Sequence, residues 1–174
     1  KTGRKSFDLT EVWNGLGLQM LLYLFTLEEE GEALFGRRPV PAGVLYLPPR
    51  GAMVAGSRTM DEAARRRLLD KELLRRGLIL DQEEVVQAME HGAGELRFLP
   101  LRVSARTGKI TGEALVSAQK LGRLKQHIAH TLGQICQEIA RGNIDADPFW
   151  RGPNRNACQY CVYAPACHFE EDTD

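Results

Sequence analysis

Apolar residues recur at three- and four-residue steps over residues 8 to about 30, at Leu9, Val12, Leu16, Met20, Tyr23, Leu24 and Leu27, behind an acidic start at Asp8. That spacing predicts one amphipathic helix. Gly31 and the run GRRPVPAG interrupt it, and the short apolar run VLYL at 44–47, stopped by Pro48 and Pro49, predicts a buried strand, the one central strand of the pattern. Residues 60–76 read as a second helix ending at Gly77, and Asp81 is expected to cap a third through about Glu90. Residues 95–116 hold two glycines and a proline, with a turn predicted at RTGKITG, and admit either short strands or an ordered loop. Ser117 opens the longest late pattern, to about Ala140, with Leu121, Leu124, Ile128, Leu132, Ile135 and Ile139 on one face and Gly142 as its stop. Residues 143–156 are expected to be an extended linker.

The balance of 23 basic and 23 acidic side chains removes any global field for nucleic acid, so such binding must be local. The most apolar stretch, residues 16–27, is interrupted by Gly17, Gln19 and Thr26, so no membrane span is expected. The chain opens KTGRKSFDLTEV, with no initiating Met and no signal-peptide pattern, and is expected to be the inside of a longer cytoplasmic protein.

Three of the four cysteines, Cys158, Cys161 and Cys167, stand at C-x2-C-x5-C spacing. Two thiolates two residues apart can hold one soft metal centre from a tight turn, and a third closes the loop around it. Zinc and iron–sulfur both remain open at this point. His168 directly follows Cys167 and is read as a surface residue, because neighbouring residues seldom both point at one ion. Cys136, inside the late helical pattern, is read as a small buried apolar residue. The fourth ligand is therefore expected outside this chain.

Near the other end, Gln19 and Tyr23 sit four residues apart on one helical face. The order K-T-G, then a helix with G-L-x-L-Q-x-x-x-Y, then a strand, and finally a Pro-containing linker with C-x2-C-x5-C resembles the RecB-type nucleases of the PD-(D/E)XK superfamily. In particular it is similar to the C-terminal end of the AddB-type (RexB-type) components of helicase–nucleases, over nearly the whole chain.

The resemblance implies an α/β fold, a partial PD-(D/E)XK core of a helix on a small sheet, mostly helical. Residues 1–145 would belong to the nuclease domain and residues 146–174 to a linker and cluster-binding tail. It implies a Mg2+-dependent DNA exonuclease acting within a helicase–nuclease that processes double-strand breaks, with DNA as substrate and an AddA-type helicase–nuclease as partner. Lys1 would orient or activate the attacking water, and Gln19 and Tyr23 would line the active site. Cys158, Cys161 and Cys167 would be three ligands of a [4Fe–4S] cluster whose first Cys lies upstream. The acidic Mg2+ ligands also lie upstream of Lys1, since Asp8 and Glu11 are better explained as the acidic first turn of a helix. The chain alone is therefore expected to be inactive. The alternative is a zinc-stabilised nucleic-acid-binding module whose basic helix, with Arg65, Arg66, Arg67, Arg75 and Arg76, contacts phosphates.

Overall fold

The computed structural model describes residues 7–47, 53–90, 96–167 and 169. The chain forms two compact units, residues 1–129 and 130–174.

In the first unit the predicted long helix is two helices. α1 (Leu9–Trp13) begins at Asp8, whose carboxylate accepts the Thr10 N–H at 2.8 Å, and α2 covers Gln19–Glu30. Between them Gly15 and Gly17 adopt left-handed backbone angles, φ 79° and 66°, which break the helical ladder at little steric cost only because neither carries a Cβ. The break changes the face that enters the core. Val12, Leu18, Leu21 and Phe25 are buried, whereas the expected stripe of Leu9, Leu16, Met20, Tyr23 and Leu27 is largely exposed. A short α3 (Glu32–Phe35) follows, ended by Gly36 at φ 67°.

The sheet also corrects the expectation. β1 (Gly43–Tyr46) is an edge strand, antiparallel to β2 (Arg76–Leu80), which in turn runs parallel to β5 (Leu115–Val116). β2 is therefore central. Its Leu78, Ile79 and Leu80 are 4%, 0% and 2% exposed, the continuous apolar run of a strand covered on both faces. The helix predicted to reach Arg76 stops early: α4 spans Glu62–Glu72, and the Arg75 N–H instead donates to the Phe98 carbonyl at 2.9 Å. Gly77 thus belongs to β2 rather than to a helix end.

β1 and β2 approach closely through two glycines paired near opposite ends of the ladder, Gly43 with Ile79 and Gly77 with Leu45. A Cβ on Gly77 would collide with the Val44 carbonyl oxygen, and one on Gly43 with that of Leu78. α5 (Glu83–Met89) follows β2, starting one residue later than expected with Gln82 at the cap position. Its Val86 joins Ile79, Leu99, Leu101 and Ala114 in the core.

Residues 96–116 form short strands. β3 (Arg102–Val103) and β4 (Ile110–Thr111) make a hairpin turned at Gly108, φ 67°, before β5. Glu90 holds the start of this segment: its carboxylate accepts the N–H groups of Arg97, Phe98 and Leu99 at 2.8–3.1 Å.

α6 (Ala118–Arg141) starts after Ser117, whose hydroxyl accepts the Lys120 N–H at 3.3 Å. Lys125 on α6 reaches Glu28 Oε2 at 2.8 Å and Glu29 Oε1 at 2.9 Å, tying α6 to the C-terminal half of α2. The hydrogen bond from Lys125, with its charge, holds the Glu29 carboxyl below its ordinary value, and the two carboxylates raise the Lys125 ammonium above its own.

In the second unit, α6 runs to Arg141 and is ended by Gly142 at φ 69°. Its expected apolar face is uncovered there: Ile135 and Ile139 are 42% and 72% exposed. Cys136 is exposed too, correcting its reading as a buried residue, because the apolar face it adjoins is itself exposed at Ile135 and Ile139. The expected extended linker folds back on itself. Arg151 N–H donates to the Arg155 carbonyl, Ala157 N–H to that of Phe149, and the Asn156 amide to those of Gly152 and Pro153.

These contacts make two predictions about stability. Gly77→Ala should lower the unfolding free energy by more than about 2 kcal/mol, while Gly122→Ala, within α6 and with open space around its Cβ, should raise it by about 0.5–1 kcal/mol. Urea unfolding followed by circular dichroism measures both, and changes of the same sign would contradict the assignment of Gly77 to a close-packed strand pair. Lys125→Met should lower Tm by a few degrees at neutral pH. A carboxyl whose folded pKa is lowered stabilises above its ordinary value of 4.5 and loses that contribution as pH falls through the folded value. An ammonium raised above 10.5 stabilises below that value and loses its contribution as pH rises through the folded one. The Tm deficit of the variant should therefore shrink at both extremes. A deficit independent of pH would mean that packing of the Lys125 stem, not its charge, holds α2.

Candidate active-site helix and cysteine tail

α2 begins at Gln19, directly after the glycine break, and presents Gln19 and Tyr23 on its exposed side. The Gln19 Nε2 donates to the Tyr23 Oη at 2.8 Å. This one-turn bond fixes two long side chains against each other while using one amide proton and one phenol lone pair. The phenol O–H and the amide carbonyl remain, a donor and an acceptor side by side, of the kind that can engage a phosphate oxygen and a bound water. Tyr23 is 54% exposed, not a core residue. A cavity of about 170 Å³ beside the same helix is lined by Phe25, Glu28, Leu80, Leu121, Gly122 and Lys125, and includes neither Gln19 nor Tyr23.

Lys1 lies outside the described residues. Asp8 caps α1, and Glu11 falls in the first turn of that helix, as expected for helix-starting acids.

An aromatic contact adjoins the glycine break that the sequence patterns do not reveal. Trp13, the last residue of α1, stacks on His127 of α6 with ring centroids 3.8 Å apart and planes 7° from parallel. Its partner is 114 residues away in the chain, so no local periodicity could pair them.

The basic helix is smaller than its sequence suggests. Arg65, Arg66 and Arg67 are exposed on α4, and Arg65 pairs with Glu62 at 3.6 Å. Arg75 and Arg76 lie beyond the helix: Arg75 sits over the Phe98 ring, 5.8 Å from its centroid, and Arg76 is the first residue of β2. Arg97 covers the same ring at 4.9 Å and pairs with Asp70 at 2.7 Å, a hydrogen bond that holds the Asp70 carboxyl below its usual range.

In the tail, Cys158 sits in a single 3-10 turn (Ala157–Tyr160), half-buried, and the Cys161 N–H donates to its carbonyl at 3.0 Å. Cys167 ends a one-turn helix, α7 (Ala164–Cys167), and its N–H donates to the Tyr163 carbonyl at 2.9 Å. All three are free thiols, as is Cys136. Among the described residues no three His, Cys, Asp or Glu side chains converge on a point where one metal ion could sit. His168 lies outside those residues. Among the described residues, no helix is long and apolar enough to cross a membrane.

The profile of the PD-(D/E)XK nuclease superfamily matches residues 1–168. Proteins named as the second, B-type component of an ATP-dependent helicase/deoxyribonuclease are similar along nearly the whole chain: that of Exiguobacterium sibiricum is 34% identical over 98% of it, that of Geobacillus thermodenitrificans 34% over 98%, and that of Clostridium novyi 31% over 98%. The chain spans about 15% of the length of each of these relatives. With its helix packed on a small mixed sheet and this match along almost its full length, the chain belongs to the PD-(D/E)XK nuclease superfamily.

Proposed function

We propose that the chain is part of the nuclease domain of an ATP-dependent helicase/deoxyribonuclease, a Mg2+-dependent DNA exonuclease that processes double-strand breaks together with an AddA-type partner. The observation that carries this reading is the Gln19–Tyr23 hydrogen bond on the exposed face of α2, in a chain whose relatives bear the deoxyribonuclease name. In this role the Tyr23 hydroxyl donates to a phosphate oxygen of the DNA strand and the Gln19 carbonyl orients the attacking water. Lys1 orients or activates the attacking water and offsets the charge that develops on the phosphate during attack. A divalent cation, when bound, polarises the phosphate and lowers the pKa of a water. Its carboxylate ligands belong to chain upstream of Lys1, so the 174-residue chain by itself does not cleave.

The donor set in the tail suits an iron–sulfur centre. Cys158, Cys161 and Cys167 are soft thiol ligands on two short turns, with Cys161 and Cys167 exposed, and a [4Fe–4S] cluster takes its thiolates at separate irons rather than around one ion. The fourth thiolate would come from upstream sequence, so the cluster would fasten this tail to an earlier part of the polypeptide.

The test is cleavage of linear DNA by the intact parent protein in complex with its partner. Gln19→Ala should reduce Mg2+-dependent degradation by about 10- to 100-fold while ATP hydrolysis stays near wild type. Unchanged degradation in Gln19→Ala and in Tyr23→Phe would remove both residues from the active site. Mg2+-dependent cleavage by the isolated 174-residue chain, abolished by Lys1→Ala, would show that its metal ligands lie within it.

A further inference from the structure

Trp13 combines exposure with order. The residue is 63% exposed, yet its indole plane is fixed by the parallel His127 imidazole 3.8 Å away. The same imidazole lies with Nε2 2.9 Å from the Trp13 carbonyl oxygen, so with that nitrogen protonated it donates to the backbone of the residue whose ring it supports. One residue thereby contacts both the carbonyl at the end of α1 and the face of its terminal ring. With His127 on one side, this degree of exposure leaves the other indole face open to solvent.

The charge beside the pair is positive. Arg123 and Lys120 lie four and seven residues before His127 on α6, hence one and two turns along the same side of that helix. Both are exposed, and among the described residues neither is held in an ion pair. An aromatic face held in place with exposed cations next to it is the combination by which proteins hold single-stranded nucleic acid: the base stacks and the cations take the phosphates. Trp13 also stands six residues before Gln19, on the segment that leads directly into the α2 face described above.

We propose that Trp13, stacked on His127, is a platform for an unpaired base of the DNA strand, with Arg123 and Lys120 contacting the adjoining phosphates. The proposal rests on the nuclease reading and adds to it a base-binding site distinct from the Gln19–Tyr23 pair. Stacking requires no particular base. It does require an unpaired one, so the platform favours a strand already separated from its complement.

The experiment uses the intact parent protein in complex with its partner and a short single-stranded oligonucleotide carrying iododeoxyuridine, which on irradiation couples to aromatic side chains stacked on it. Adducts are located by fragment-ion sequencing, and cleavage of the same oligonucleotide without iodine is measured over a range of concentrations. The expected result is an adduct on Trp13 or His127. In Trp13→Ala the half-saturating oligonucleotide concentration should rise roughly 5- to 150-fold, the loss of one stacked base, with kcat at saturation within about twofold. Trp13→Phe should recover most of the affinity, and the retained kcat of Trp13→Ala excludes a folding defect. Adducts confined to other residues of this chain, with unchanged half-saturation in Trp13→Ala, would overturn the platform and leave the nuclease reading standing. No adduct anywhere in residues 1–174, together with no cleavage, would overturn both.

Discussion

The structure depends on a constraint at two backbone positions, the left-handed Gly15 and Gly17. Eleven residues are close to three full helical turns, so in an unbroken helix Tyr23 would share a face with Val12, and its phenol would enter the core. With the break, Leu18, Leu21 and Phe25 join Val12 inside, while Gln19 and Tyr23 turn outward at the start of a new helix. The same break ends α1 at Trp13 and leaves that ring at the surface. Any other residue at Gly15 or Gly17 would incur the strain of positive φ, and relief by straightening the helix would bury the polar pair.

The exposed face would have little precision if the helices bearing it were loose, and α6 is what holds them. Lys125 binds the end of α2 through Glu28 and Glu29, and His127, two residues on, binds the end of α1 through the Trp13 carbonyl and ring. α6 is itself placed by β5, which pairs with the central β2 and leads into it through Ser117. Thus the chain of support runs from the buried Leu78–Leu80 segment through a short parallel pair to the helix that fixes both surface groups.

Much of this was legible in the sequence, and the gaps have physical reasons. Helices where a 3.6-residue pattern coincides with a cap, such as α6 after Ser117, emerge close to their observed bounds. The Gln19–Tyr23 pair was legible because four-residue spacing alone brings the side chains together. β2 was not, since Leu73 to Arg76 continues the preceding helical pattern and Gly77 reads as its stop, and only pairing with both neighbours makes residues 76–80 a strand. The wrong stripe of α2 followed from carrying one period across Gly15 and Gly17, whose φ values no pattern records. Cys136 looked buried because periodicity reports an apolar face, not whether anything covers it. Contacts across long separations, such as Trp13 with His127, left no trace in local spacing.

The two ends of the chain carry separate chemistries, a polar pair on α2 and three thiols in the tail, and under the proposed function an iron–sulfur cluster fastens that tail to the nuclease domain. The most direct measurement is iron and acid-labile sulfide in the anaerobically purified parent protein, with its visible spectrum and with Cys161→Ser beside it. About four irons and four sulfides per polypeptide, with a broad absorption near 400 nm lost in Cys161→Ser, is the predicted result. Stoichiometric zinc, or no metal bound through Cys161, would contradict it.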